Sequence, residues 1–139
     1  MQIKINYAKN LNFEACARDF TGIQIDEPQE FHGNNLGPSP IEYFLIGVGS
    51  CISGTYVFCL QKYGIKFKNL EVIVDGQLKH AGPKMNLKLV DINIELLISF
   101  EKGQPTERIE VCEKIYKEHC PISDIFIRGI PLNIKISKT

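Results

Sequence analysis

The side chains best suited to chemistry in this 139-residue chain are its cysteines, Cys16, Cys51, Cys59, Cys112 and Cys120. Thiol chemistry runs through the thiolate, which forms where a helix start or a cation stabilises it. Cys120 has the better local setting. The residue before a proline avoids the helical region and proline suits the first helical position, so Cys120-Pro121 predicts a short helix over Pro121 to Arg128, stopped by Gly129. Cys120 then stands at its N-cap, where free N–H groups and the positive dipole end favour a negative sulfur. Cys51 falls inside an uncharged run, and a cysteine in an apolar helix interior is normally inert. Cys16, Cys59 and Cys112 read as small core residues. An odd count without crowding does not describe a disulfide scaffold. There is no C-x-x-C, and apart from the adjacent His119–Cys120 the histidines His32, His80 and His119 stand away from any cysteine pair, which argues against structural zinc.

The element that must position Cys51 is a helix predicted from Pro40 to Tyr63. Ser39 is a good N-cap, Glu42 three residues later completes a capping box, Pro40 suits the first turn and Gly64 is a natural stop. Its length of ~36 Å is close to the width of a globule of this size, with an expected radius of gyration of ~14 Å. No charge occurs from Tyr43 to Leu60, and the apolar side chains point all around the axis, which predicts burial on every side. Gly47, Cys51 and Gly54 make a small face that another backbone can approach. The 18 uncharged residues reach the lower bound for a membrane span. Dilution by Gly, Ser, Thr and Cys and the lack of a basic flank favour an internal helix instead.

Around that helix the patterns are mostly β. Met1 to Tyr7, Phe13 to Arg18 and Thr21 to Asp26 alternate as three strands of an antiparallel meander, followed by a loop over Glu27 to Pro38. Leu70 to Lys79, with Leu70, Val72, Val74 and Leu78 alternating, and Leu87 to Phe100 form a long hairpin about His80-Ala-Gly-Pro83. Gln104-Pro-Thr106 opens a second helix that runs through about His119, acidic at its start and basic at its end, with Ile109, Cys112, Ile115, Tyr116 and His119 on one face. Leu132, Ile134 and Ile136 predict a last strand. The order βββ-α-ββ-αα-β is an α+β plan, in one domain over residues 1–139.

Sixteen basic and sixteen acidic residues leave no net charge, so nothing favours nucleic acid or an anionic membrane surface. The start MQIKINYAKN carries no apolar signal core, and a cytoplasmic protein is expected. A full-width helix that is apolar all round exceeds what one sheet and one helix can cover, which predicts an intertwined homodimer.

Two motifs add a resemblance. The run from Gly37-Pro-Ser-Pro-Ile-Glu to Gly-Val-Gly-Ser-Cys51 resembles the first-cysteine segment of the OsmC/Ohr family, the osmotically inducible protein C and organic hydroperoxide resistance proteins. Cys120-Pro-Ile-Ser resembles that family's second motif, Cys-Pro-Val/Ile-Ser, and the order of elements is also the family's. The resemblance implies a dimeric thiol peroxidase without a cofactor, acting on organic hydroperoxides or hydrogen peroxide. Cys51 would be the peroxidatic thiolate and Cys120 the resolving thiol, reset by an external thiol or dithiol. In the hydroperoxide-resistance branch a glutamate ten residues before the first cysteine pairs with an arginine. Here Ile41 holds that place and Glu42 is nine before, matching the wider OsmC-like pattern. Arg18 is the arginine of the N-terminal strands and the candidate activating cation. The other reading of the same fold is a protein without significant peroxidase activity that binds an apolar ligand or serves as a thiol redox sensor.

Overall fold

The computed structural model describes residues 1–137, with all their side chains except those of Tyr116 and Lys117. The expectation that Tyr116 joins the inner face of its helix thus lies outside the described residues. The chain forms two compact units, Met1–Gly47 and the chain from Val48 onward.

The first unit is an antiparallel meander of β1 (Ile3–Lys9), β2 (Asn12–Ala17) and β3 (Phe20–Ile25), in spatial order β1-β2-β3. Phe13 pairs with both Tyr7 and Ile25 across its neighbours. Fully buried Asp26 closes the following loop, accepting the backbone N–H groups of Glu27, Asn34 and Leu36 at 2.9, 3.2 and 3.2 Å. A charged acceptor with three donors is how a buried carboxylate is tolerated. The loop delivers the chain to α1 (Pro40–Lys62) through the predicted capping box: the Ser39 N–H donates to Glu42 Oε2 at 2.6 Å, and the Glu42 N–H donates to Ser39 Oγ at 3.3 Å. Tyr43 Oη adds a bond to the Gln24 carbonyl at 2.7 Å.

The second unit carries the rest of α1, the hairpin β4 (Phe67–Ala81) and β5 (Asn86–Phe100), then α2 (Thr106–His119) and α3 (Pro121–Arg128). Gly64, at φ 67°, closes α1, the Ile65 N–H reaching the Leu60 carbonyl and the Gly64 N–H that of Gln61. This is a Schellman ending, and its hydrophobic partners Leu60 and Ile65 are both buried. Across the hairpin Leu70 faces Ile98, Val72 faces Leu96 and Val74 faces Ile94, so one side is apolar. A register shift at Gln77/Leu78 takes Leu78 out of that alternation, 37% exposed. Two clusters make the core, one of Tyr56, Cys59, Leu60, Ile65 and Cys112, the other of Val48, Ile52 and Cys120, with Leu96 touching both.

By length and composition α1 could cross a membrane, and within one chain it is covered on one side, as expected of one sheet and one helix: Val48, Gly49, Ile52, Tyr56, Cys59 and Leu60 are buried, while Ile46 and Phe58 are 53% and 69% exposed. The structure corrects three expectations. The close approach to α1 is made by a side chain at Gly49, where a Cβ would lie 2.5 Å from Val74 Cγ2, and not by a backbone along the small face, since Gly47 and Gly54 meet open space. No strand forms over residues 130–137, whose Ile130, Leu132, Ile134 and Ile136 are 66–83% exposed. Alternation supplies a face, but a strand also needs a neighbour for its backbone, and none pairs with this segment among the described residues. Finally, Cys59 and Cys112 are buried as expected but are not free: they form a disulfide.

Candidate functional site

Cys51 and Cys120 are brought together by different means. Cys51 is fixed by the rigid middle of α1, four residues before Thr55, whose hydroxyl donates to the Cys51 carbonyl at 2.9 Å. Cys120 is the N-cap of α3, in extended conformation with φ −77° and ψ 118°, and Pro121 occupies the first helical position. Their sulfurs lie 3.3 Å apart across 69 residues of sequence, beside Val48, Ile52, Ile94, Leu96 and Ile122. Cys120 is sealed at 1% exposure, whereas Cys51 is half-buried. A groove of about 520 Å³ runs from Cys51 along α1, past Thr55 and Phe58 to Lys62, with Ile115 and His119 of α2 opposite. Its middle is apolar, with Lys62 at the far end and His119, the residue before Cys120, at the Cys51 end.

The two thiols are driven apart in acidity. Burial pushes the Cys51 thiol up, and the hydrogen bond and charge of Cys120 push it further, against the Ile122 N–H. Burial also raises Cys120, but the Ser123 N–H, the Ser123 hydroxyl, Cys51 and the Ile122 N–H together outweigh it and bring the thiol below its ordinary value. Helix-start donors thus favour Cys120 as the first of the pair to lose its proton. In a Cys16→Ser background, thiolate absorbance should titrate in two steps on either side of the ordinary thiol value. Cys120→Ser should bring the upper step down, because a raising partner is gone. Cys51→Ala should bring the lower step up for the converse reason, because the donor to Cys120 is gone. Steps that stay in place in both variants would contradict the pairing.

The two supporting candidates have local partners in the first unit. Glu42 is committed to the capping box. Arg18 lies in a turn at φ 56° with its guanidinium 5.1 Å from the centroid of the Phe20 ring. Arg128 is ion-paired with Asp124 on the surface of α3. Among the described residues no group of three His, Cys, Asp or Glu is placed to hold a metal.

Sequence reasoning missed Ser123 and the Cys59–Cys112 bond, although both left a signal. Ser123 is the third residue after the cap, the position whose groups face a cap side chain. Cys59 lies eight residues beyond Cys51, and Cys112 eight before Cys120. If one of these pairs meets across antiparallel helices, the other meets too.

Comparison with known proteins agrees with this geometry. The family model described as OsmC-like protein matches residues 32–135. No curated protein matches the chain. Among solved structures, an OsmC-like protein from Mycoplasma pneumoniae is similar at TM-score 0.74 and 19% identity, over 91% of this chain and 86% of that one. An organic hydroperoxide resistance protein OsmC from Legionella pneumophila is similar at TM-score 0.65 and 20% identity, over 92% and 88% of the two chains. The organic hydroperoxide resistance protein OhrB of Bacillus subtilis follows at TM-score 0.60 and 17% identity, over 92% and 90%. At these identities the likeness is one of fold.

Proposed function

The chain belongs to the OsmC-like family, and on that premise we propose that it is a thiol-dependent peroxidase for small organic hydroperoxides or hydrogen peroxide. The observation that carries the reading is the 3.3 Å approach of the Cys51 and Cys120 sulfurs at the head of an apolar groove. The names of the Legionella and Bacillus proteins support a peroxide substrate.

In this reading the pair shares one proton, and Cys51 attacks when that proton rests on Cys120. Its sulfur breaks the O–O bond, keeping one oxygen as a sulfenic acid while the other leaves as the alcohol, or as water from hydrogen peroxide. Cys120 then displaces the remaining oxygen, which leaves as water with one proton taken from solvent, and closes the Cys51–Cys120 disulfide. Two electrons from an external thiol or dithiol restore both thiols.

Thiol titration before and after one equivalent of cumene hydroperoxide tests the reading, with two thiols expected to disappear and one disulfide to appear. The apolar groove favours a second reading, an apolar-ligand binder or redox sensor, in which the thiols survive that treatment or react only slowly. Working as a homodimer is part of the proposal. Phe58 and Ile46 on α1 and the alternating apolar side chains of residues 130–137 form surfaces of the kind a second copy covers. Light scattering at micromolar concentration is expected to give twice the 15.7 kDa chain mass, and a stable 15.7 kDa species would rule the dimer out.

A further inference from the structure

The structure assigns to the Cys59–Cys112 disulfide the positioning of the Cys51–Cys120 pair: we propose that it fixes where α2 lies along α1 and so sets how readily the second pair closes. The inference deepens the peroxidase reading, whose second step is that closure.

Both pairs join the same two stretches of chain. Cys59 is eight residues beyond Cys51 and Cys112 eight before Cys120, a rise of ~12 Å on each helix. The two links are therefore rungs between antiparallel stretches, equally spaced on both sides. One rung is already covalent, with Cα atoms 5.5 Å apart and both residues at most 4% exposed. The other is open, with its sulfurs 3.3 Å apart. Because α2 ends at His119 and Cys120 follows directly, any slip of α2 along α1 moves Cys120 with it. One helical turn is ~5.4 Å, more than enough to take a sulfur out of bonding reach.

Ahead of α2 the Lys66 N–H donates to Gln104 Oε1 at 2.9 Å. Among the described residues of α2 the strip that meets the core is Ile109, Cys112 and Ile115, while Glu107, Glu110, Glu113, Lys114 and Glu118 are exposed. A narrow strip can slide and a bond cannot. The bond therefore keeps the effective concentration of Cys120 at Cys51 high. By linkage the effect must be reciprocal, each pair favouring the other by the same factor.

The test uses glutathione redox buffers, in which two thiols and oxidised glutathione give a protein disulfide and two reduced glutathiones. Alkylation and mass-spectrometric mapping yield the equilibrium constant for each pair. In Cys59→Ser/Cys112→Ser the constant for Cys51–Cys120 is expected to fall about tenfold or more. In Cys51→Ser/Cys120→Ser, which leaves the buried bond and its cluster intact, the constant for Cys59–Cys112 should fall by the same factor. That second variant keeps the proposal open to refutation if the first does not fold. Constants within about twofold of wild type would overturn it. A peroxide arm separates the two readings. With one equivalent of cumene hydroperoxide, Cys59→Ser/Cys112→Ser should accumulate a Cys51 sulfenic acid that dimedone traps. If wild type consumes no peroxide while the constants remain coupled, the peroxidase reading fails and the positioning role stands. If peroxide is consumed and the constants are uncoupled, the positioning role fails alone.

Discussion

Cys51→Ser is expected to slow peroxide consumption by roughly a thousandfold or more, whereas Cys120→Ser should still consume one equivalent and stop at a sulfenic acid on Cys51. Acidity by itself points the other way, since Ser123 and the start of α3 favour a thiolate on Cys120. Access decides between them. Cys120 is 1% exposed and packed among Val48, Ile52 and Ile122, while Cys51 opens on the groove. Helix-end stabilisation of a thiolate is worth about 1 kcal/mol, roughly a factor of five in the population of the reactive form. A sulfur that a hydroperoxide cannot reach loses far more than that. With the two sulfurs in contact, moreover, the charge held on Cys120 is one proton transfer from Cys51. Dimedone labelling of both variants, read by mass spectrometry, settles the roles. A Cys51→Ser protein that reacts like wild type and carries the label on Cys120 would reverse them.

Opening the Cys59–Cys112 bond should lower the unfolding free energy by about 4 kcal/mol at 25 °C, the chain-entropy value for a loop of this size, given its sequence separation of 53. The comparison is Cys59→Ala/Cys112→Ala against wild type in urea, with wild type under dithiothreitol as a second reduced reference. Truncating two buried side chains at the centre of the Tyr56, Leu60 and Ile65 cluster adds to the loss in the alanine protein but not in the reduced one. A difference below about 1 kcal/mol in both would mean that the bond places no constraint on the unfolded chain.

Most of the fold was legible because its signals are local. Ser39, Glu42 and Gly64 mark the ends of α1 through hydrogen bonds made within a few residues, and these bonds form as expected. Pro121 and Gly129 bound α3 in the same way. What misled the sequence reading depends on distant partners. The alternation of Leu132, Ile134 and Ile136 reports a face, but only a neighbouring strand makes a strand of it. At the site, Cys120 was legible from its cap position, while Cys51 rested on the family motif alone. Cys59 and Cys112 looked like core filling because burial is what each one's neighbours report. Their bond is a fact about two helices.

The two cysteine pairs are nested: the Cys59–Cys112 loop, with a separation of 53, lies wholly inside the span of 69 between Cys51 and Cys120. Once the inner loop is closed, joining the outer pair encloses only the 16 residues by which the two spans differ. Loop-closure entropy grows with the logarithm of length, so the outer bond then restricts the unfolded chain by about 1 kcal/mol less than it would alone. The inner bond carries the larger topological constraint. The outer one can open and close through a catalytic cycle with a smaller swing in the stability of the protein that hosts it.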